Sequence, residues 1–123
     1  MDYQITLMYP THVEKTVTRA DLPAEYAQLK TANAPNVSWG EDTDRSLIVQ
    51  VADDYCVVSM ASDDDYFYLQ TSDDDELVTI IMGGVDGQVP KGALVDRELG
   101  LEALLRVDDW PALLTEYTWV SAY

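Results

Sequence analysis

Residues 47–82 read LIVQVADDYCVVSMASDDDYFYLQTSDDDELVTIIM and contain four short runs rich in Val, Ile, Leu and Tyr. The runs cover residues 47–52, 55–61, 66–71 and 77–82. Only a few residues, nearly all of them Asp or Ser, separate one run from the next. Connections this short allow hairpins but not crossovers, so the pattern predicts an antiparallel meander of four strands.

The segments on either side of these runs predict one further strand and two helices. Alternation of apolar and polar residues over 3–9 is typical of a strand with one buried face. One helix is predicted to begin at Asp21, and another at Asp96, after which apolar residues recur every three or four positions. The predicted fold class is α+β, an antiparallel sheet with a meander core and two helices packed on one face, in a single domain over residues 1–123.

Three other segments are predicted to form connections or short strands at the borders of the sheet. Residues 37–45 are expected to be a loop or a short edge strand. Gly83, Gly84 and Gly87 predict a flexible turn, because glycine adopts backbone conformations closed to other residues. Residues 117–120 have the composition of a strand.

The charge of the chain excludes several classes of partner. With 23 Asp and Glu against 7 Lys and Arg, the formal net charge is −16. Nucleic-acid phosphates and anionic membrane surfaces both attract Lys and Arg, so neither nucleic acid nor a membrane is an expected partner. Because 47% of the residues are hydrophobic, the chain has enough apolar surface to fold despite this charge.

Nothing in the sequence indicates catalysis, a cofactor or a metal. The chain has one Cys and one His, which excludes an intramolecular disulfide and a zinc site built from those residues. Cys56 falls inside a predicted strand and is expected to behave as a small apolar residue. The sequence shows no signal-peptide pattern and no long apolar run, so the expected location is cytoplasmic. Because no catalytic motif is found, the protein is not expected to be an enzyme.

The acidic residues cluster on the predicted turns of the meander. Between residues 46 and 90 there are ten Asp or Glu and no Lys or Arg. Since successive turns of a meander alternate between the ends of the sheet, 53–54 and 73–76 are expected at one end and 63–65 at the other. Asp suits turns and discourages aggregation, but three or four in a row exceed what a turn needs. A surface shaped for a basic partner is the alternative interpretation.

Tyrosines lie beside these acidic turns and extend the predicted contact surface. Tyr66 and Tyr68 are expected on the face of their strand opposite Phe67 and Leu69, which point to the core. These two tyrosines either contact a partner, as tyrosines often do at protein interfaces, or pack within the fold with only their hydroxyls in water. The candidate contact residues are Asp53, Asp54, Tyr55, Asp63, Asp64, Asp65, Tyr66, Tyr68, Asp73, Asp74, Asp75 and Glu76.

The last third of the chain resembles a known family. Residues 83–95 read GGVDGQVPKGALV and lead into DRELGLEALL at 96–105, and Trp110 and Trp119 follow. This order resembles the Imm1 family of bacterial immunity proteins over about residues 45–120, with Val107 standing where that family often has a bulky aromatic. The resemblance implies an immunity protein that neutralises a polymorphic toxin, such as a nucleic-acid deaminase or nuclease. The implied partner is a cognate toxin with a basic surface, blocked by occlusion of its active site.

Two other classes of function stay open at the level of the sequence. A small acidic adaptor, or a regulator that mimics DNA, would also present carboxylates to a nucleic-acid-binding protein. A metal-dependent hydrolase would need carboxylates that converge on one ion, whereas neighbouring residues of an extended turn point apart. The sequence does not predict the oligomeric state or the identity of the toxin.

Overall fold

A computed structural model describes residues 2–40, 45–82 and 85–121. The described part contains nine strands, three α-helices and two short 3₁₀ turns, the latter at Thr31–Asn33 and Lys91–Ala93. The strands are β1 Asp2–Leu7, β2 Val13–Thr18, β3 Asn36–Trp39, β4 Arg45–Val51, β5 Cys56–Ser62, β6 Asp65–Leu69, β7 Leu77–Met82, β8 Val85–Pro90 and β9 Trp119–Ser121. The helices are α1 Leu22–Ala27, α2 Arg97–Leu105 and α3 Trp110–Glu116.

Seven of these strands form one antiparallel sheet in the order β2-β1-β3-β4-β5-β6-β9. The predicted α+β class is confirmed, and β3 to β6 form its meander core. The prediction that residues 77–82 supply the next meander strand is wrong, because β7 pairs with β8 in a separate hairpin. Beside β6 lies β9 instead, with Tyr68 opposite Val120, and the Gln70 N–H donates to the Thr118 carbonyl at 3.0 Å. The edge of β6 that β7 would need is therefore already occupied.

The sheet has one face under the helices and another partly under the β7–β8 hairpin. All three helices bury side chains in a single core with alternate residues of the sheet, among them Val58. On the opposite face, Val57 is fully buried against Ile80 and Val89 of the hairpin. Burial on both faces explains why β5 reads as a nearly continuous apolar run rather than an alternating one.

The N-terminal third of the molecule differs from its prediction at two strands. The prediction of a loop or edge strand at 37–45 is wrong for residues 37–39, because β3 pairs with β1 on one side and β4 on the other. Val37 is fully buried there, opposite Ile5 and Val49. Arg45 begins β4, and residues 41–44 lie outside the described residues. The edge position belongs to β2, an unpredicted strand whose side chains are exposed at every position except Val17.

The helix layer and the glycine-rich segment also refine the prediction. The predicted helices correspond to α1 and α2, but neither Asp21 nor Asp96 caps its helix through the side chain. Asp109 does so for α3, accepting from the Ala112 N–H at 3.3 Å. The predicted turn at 83–84 lies outside the described residues, and Gly87 is in strand β8 rather than in a turn.

Candidate functional site

An open cleft of about 740 Å³ lies between the chain that follows β6 and the chain that joins α3 to β9. Its lining includes three carboxylates, from Asp73, Asp75 and Glu116, and no Lys or Arg among the described residues. Apolar side chains form much of the remaining wall. The cleft therefore combines a negative charge with surface that can pack against carbon, and it includes two of the predicted contact residues.

Backbone hydrogen bonds hold the segment that carries Asp73 and Asp75. The Thr71 N–H donates to the Gly92 carbonyl at 3.1 Å, and the Gly92 N–H donates to the Asp74 carbonyl at 2.8 Å. The Lys91 N–H donates to the Glu76 carbonyl at 2.7 Å. A Cβ at position 92 would collide with the Ser72 carbonyl oxygen, so only glycine permits this close approach. The acidic rim is thus tied to the turn after β8 rather than to a hairpin.

A network of side chains organises the opposite wall of the cleft. Arg106 forms an ion pair with Glu116 and lies 3.7 Å from the Glu102 carboxylate. The Tyr117 hydroxyl donates to Glu102 at 2.6 Å, and the indole N–H of Trp119 donates to the Leu113 carbonyl at 3.0 Å. The negative charge of Glu116 is therefore balanced within the protein.

Asp73 and Asp75 are not balanced in this way. Neither carboxylate forms an ion pair or a hydrogen bond with another residue in the described part of the chain. Both residues are exposed at the mouth of the cleft. Two neighbouring carboxylates without a counter-charge repel each other, and a cation supplied from outside would relieve that repulsion.

The other acidic residues predicted as contacts have more local roles. Asp53 accepts the Thr31 N–H at 3.0 Å, and its own N–H donates to the Thr31 hydroxyl at 2.8 Å, which ties the β4–β5 turn to the first 3₁₀ turn. Asp63 and Asp64 have φ angles of 51° and 69°, as in two-residue turns that match the twist of a hairpin. Turn chemistry therefore accounts for these three residues.

The remaining acidic positions are spread over the surface. The Asp74 carboxylate accepts the Glu76 N–H at 3.1 Å, so it closes a local turn. Asp54, Asp65 and Glu76 are exposed. β6 runs antiparallel to β5, so residues 70–76 leave the sheet at the end where Asp53 lies, as expected, but as a bonded segment rather than as a meander turn.

The three candidate tyrosines separate into two kinds of environment. Tyr55 and Tyr68 are half-buried and pack around Val57. Of the two alternatives for the tyrosines, contact with a partner or packing within the fold, this environment agrees with packing. Tyr66 is 41% exposed and lies on the same face of β6 as Tyr68. The expected assignment of Phe67 to the core face is confirmed, since it packs against the main hydrophobic core.

One whole wall of the cleft was not predicted from the sequence. Glu116, Tyr117, Thr118 and Val120 line it, and neither they nor Gln70 on the facing wall were candidates. They come together because β9 pairs with β6 across about 50 residues of intervening chain, a contact that no local pattern indicates. The one available signal was Gln70, a polar residue that ends the apolar run at 66–69.

The pKa of Tyr117 reflects its burial in this wall of the cleft and its interaction with Glu102. This pKa is raised from its ordinary value of 10 to about 12, chiefly by burial and in addition by the hydrogen bond to Glu102 and the charge of Glu102. Arg106 opposes the shift. Because folding favours the neutral phenol, the contribution of Tyr117 to stability is fully present below pH 10 and is lost as the pH rises towards 12.

Replacing Glu102→Gln is expected to lower the pKa of Tyr117, while leaving it above 10 because the burial persists. The ring carbon resonance of Tyr117, followed by NMR through an alkaline titration, measures this midpoint. Glu98→Gln, at an exposed position of the same helix, is the control and is expected to leave the midpoint in place. An unchanged midpoint in Glu102→Gln would show that burial accounts for the whole shift.

The described residues contain no group of three or more His, Cys, Asp or Glu placed to hold a metal ion. Cys56 is fully buried, and burial raises the pKa of its thiol to about 11. Within 2–40, 45–82 and 85–121, none of the helices has both the length and the apolar character that a membrane-spanning helix needs.

No protein-family model matches the chain, and no curated protein matches it.

Proposed function

We propose that this protein is an immunity protein, of the kind that the Imm1 family represents, which binds a cognate bacterial toxin and neutralises it. The toxin is an enzyme that acts on nucleic acid, such as a deaminase or a nuclease. Inhibition occurs by occlusion, with an acidic surface laid over the basic active site. The observation that carries the proposal is the cleft in which Asp73 and Asp75 have no counter-charge among the described residues.

The distribution of ion pairs supports an external partner for the acidic surface. The ion pairs found in the structure use acids of the N-terminal third and of the two last helices and their flanks, such as Glu25 and Glu116. Apart from Asp64, the acids of 53–54, 63–65 and 73–76 form none with another described residue. An enzyme that holds phosphates carries Lys and Arg in its cleft, and carboxylates can stand in for those phosphates.

Apolar surface next to the cleft supports the same kind of contact. Val120 lines the cleft and is 40% exposed, and on the sheet it lies opposite Tyr68. Ile48 and Tyr66, also exposed, lie further along on the same face of the sheet. A protein interface typically has an apolar centre with a charged rim, and this face offers both elements side by side.

Co-expression with the product of the gene immediately upstream tests the proposal. The two proteins are expected to co-elute as a complex on gel filtration, and the nucleic-acid-directed activity of the neighbour is expected to fall as this protein is added. A neighbour that neither binds nor is inhibited would contradict the immunity function. Capture of a host nucleic-acid-binding protein in its place would favour the acidic regulator.

A further inference from the structure

We propose that β2 is a self-association surface, at which two copies of this chain pair β2 with β2 and join their sheets into one. β2 is the last strand at one end of the sheet, and β9 is the last strand at the other. Six strand spacings separate these two edges, which is about 29 Å. Because the acidic cleft lies beside β9, the contact leaves it free, and the inference goes beyond the proposed function without resting on it.

Alternate residues of β2 direct their backbone hydrogen-bonding groups away from the sheet. The Val51 N–H donates to the Pro35 carbonyl at 3.1 Å, which fixes residues 35 and 51 as a hydrogen-bonded pair. Hydrogen-bonded and non-hydrogen-bonded pairs alternate along an antiparallel ladder, so the registers from β4 through β3 and β1 to β2 fix the direction of each group. The odd-numbered residues of β2 bond to β1, and the N–H and C=O groups of Glu14, Thr16 and Thr18 point outwards.

No structural feature closes this edge within the described residues. β2 pairs with all six residues of β1 without a bulge, contains neither Pro nor Gly, and is exposed except at Val17. Its one lysine, Lys15, forms an ion pair with Glu25 of α1. Of the outward groups, only the Thr18 carbonyl has a partner in the described ranges, the Asp21 N–H at 3.1 Å. A straight edge with unpaired backbone groups accepts another strand, because a strand carries the matching row of donors and acceptors.

The charge around β2 allows a second copy to approach, whereas the charge elsewhere repels it. Residues 1–30, which include β1, β2 and α1, contain four Asp or Glu and three Lys or Arg, a formal charge of −1. Residues 31–123 contain 19 Asp or Glu and four Lys or Arg, a formal charge of −15. Two copies that met over the acidic turns would bring like charges together. A basic partner is attracted to the acid-rich part of the chain, so the nearly neutral edge favours a second copy.

Like charges exclude most registers of two antiparallel β2 strands. The outward groups of one strand must face those of the other, so the two-fold axis passes through a residue rather than between residues. An axis through Glu14 sets Glu14 against its own copy, and an axis through Lys15 does the same for Lys15. An axis through Val17 sets Lys15 against Arg19. An axis through the first or last residue of β2 engages only the end of the strand.

The remaining register, with the axis through Thr16, opposes no like charges. Thr16 then faces its own copy, Glu14 faces Thr18, and Lys15 faces Val17. About six backbone hydrogen bonds join the two copies in this register. The pair of Thr side chains at the axis adds a favourable contact between the strands. The sequence of β2 is therefore self-complementary about Thr16.

Sedimentation equilibrium of the full chain tests this inference. We expect a reversible monomer–dimer equilibrium with a Kd of about 10–100 µM, because a seam of two strands is smaller than a standard stable interface. Added salt is expected to tighten the dimer by about threefold to tenfold, since it screens the repulsion between two copies of charge −16. A chain that remains monomeric at about 1 mM would overturn the proposal.

Substitutions at Thr16 test whether β2 is the seam. Thr16→Pro removes the outward N–H at the axis, and an edge position of this kind tolerates proline. The dimer is therefore expected to weaken by at least about tenfold while the monomer stays folded by circular dichroism. Thr16→Val keeps the N–H and the β-branched shape, and this control is expected to change the Kd by less than about threefold. A dimer that survives Thr16→Pro unchanged would refute pairing through β2.

A pair of charge variants keeps the test decisive if Thr16→Pro does not fold. Thr16→Glu sets two carboxylates against each other across the axis and is expected to weaken the dimer by at least about tenfold. Gln4→Glu adds the same charge on β1, opposite Thr16 but one strand further from the seam. This control is expected to weaken the dimer by no more than about threefold, because Coulomb energy falls with distance. Equal losses in the two variants would contradict the proposed seam.

Discussion

Replacing Asp73→Lys together with Asp75→Lys is expected to slow association with the toxin by about 10- to 100-fold at low ionic strength. The substitution turns two unpaired carboxylates at the mouth of the cleft into two cations that repel a basic surface. Asp74 is left in place because its carboxylate accepts the Glu76 N–H and so shapes the segment. The association rate from stopped-flow or surface plasmon resonance is the measurement, and raising the salt concentration is expected to narrow the difference.

A charge-matched control decides whether the effect belongs to the cleft. Asp2→Lys/Asp21→Lys changes the net charge by the same amount at two exposed positions remote from the cleft lining. This control is expected to slow association by no more than about twofold to threefold, because its two cations lie farther from the basic surface at the cleft and Coulomb energy falls with distance. If both double variants slow association equally, only the overall charge matters. An unchanged rate in Asp73→Lys/Asp75→Lys would remove the cleft from the interface.

Replacing Gly100→Ala is expected to lower the free energy of unfolding by about 1–3 kcal/mol, although alanine is about 1 kcal/mol better than glycine in a helix interior. Helix α2 lies so close to the sheet that a Cβ at position 100 would fall 2.7 Å from the Cys56 sulfur and 2.7 Å from the Tyr26 hydroxyl. The same Cβ would lie 2.8 Å from Cγ1 of Val49. Close packing leaves these groups little room to move. Urea denaturation followed by circular dichroism measures the change.

Two further variants test this explanation of Gly100. Glu98→Ala, on the exposed side of the same helix, is expected to change the free energy of unfolding by less than about 0.5 kcal/mol. Adding Cys56→Ala to Gly100→Ala removes one of the three close contacts and is expected to make the cost of Gly100→Ala smaller than in the parent chain. Stabilisation by Gly100→Ala would mean that helix propensity outweighs the close approach.

Local patterns predicted those parts of the fold whose partners are close in sequence. The β4–β5 and β5–β6 hairpins follow from apolar runs joined by short acidic turns, and Asp63 and Asp64 adopt the conformation that such a turn requires. The strand at 77–82 was predicted correctly, but its predicted pairing with the strand at 66–71 is wrong, since a short connection permits that pairing without requiring it. Gly100 is a second example of a role that local pattern does not predict. From the sequence it is only a residue of low helix propensity, whereas in the fold it lets α2 approach β5 closely.

The sign, the density and the approximate position of the charge follow from the amino-acid sequence alone, because Asp and Glu are acidic wherever they lie and the short apolar runs leave them on turns. Which of these acids are available to a partner depends on long-range packing. The Asp53 carboxylate is used within its own fold, whereas Asp73 and Asp75 face a cleft. That cleft exists because β9 pairs with β6 and places Glu116, Tyr117 and Val120 opposite them. Such pairing depends on the burial of surfaces far apart in the chain, which no single segment encodes.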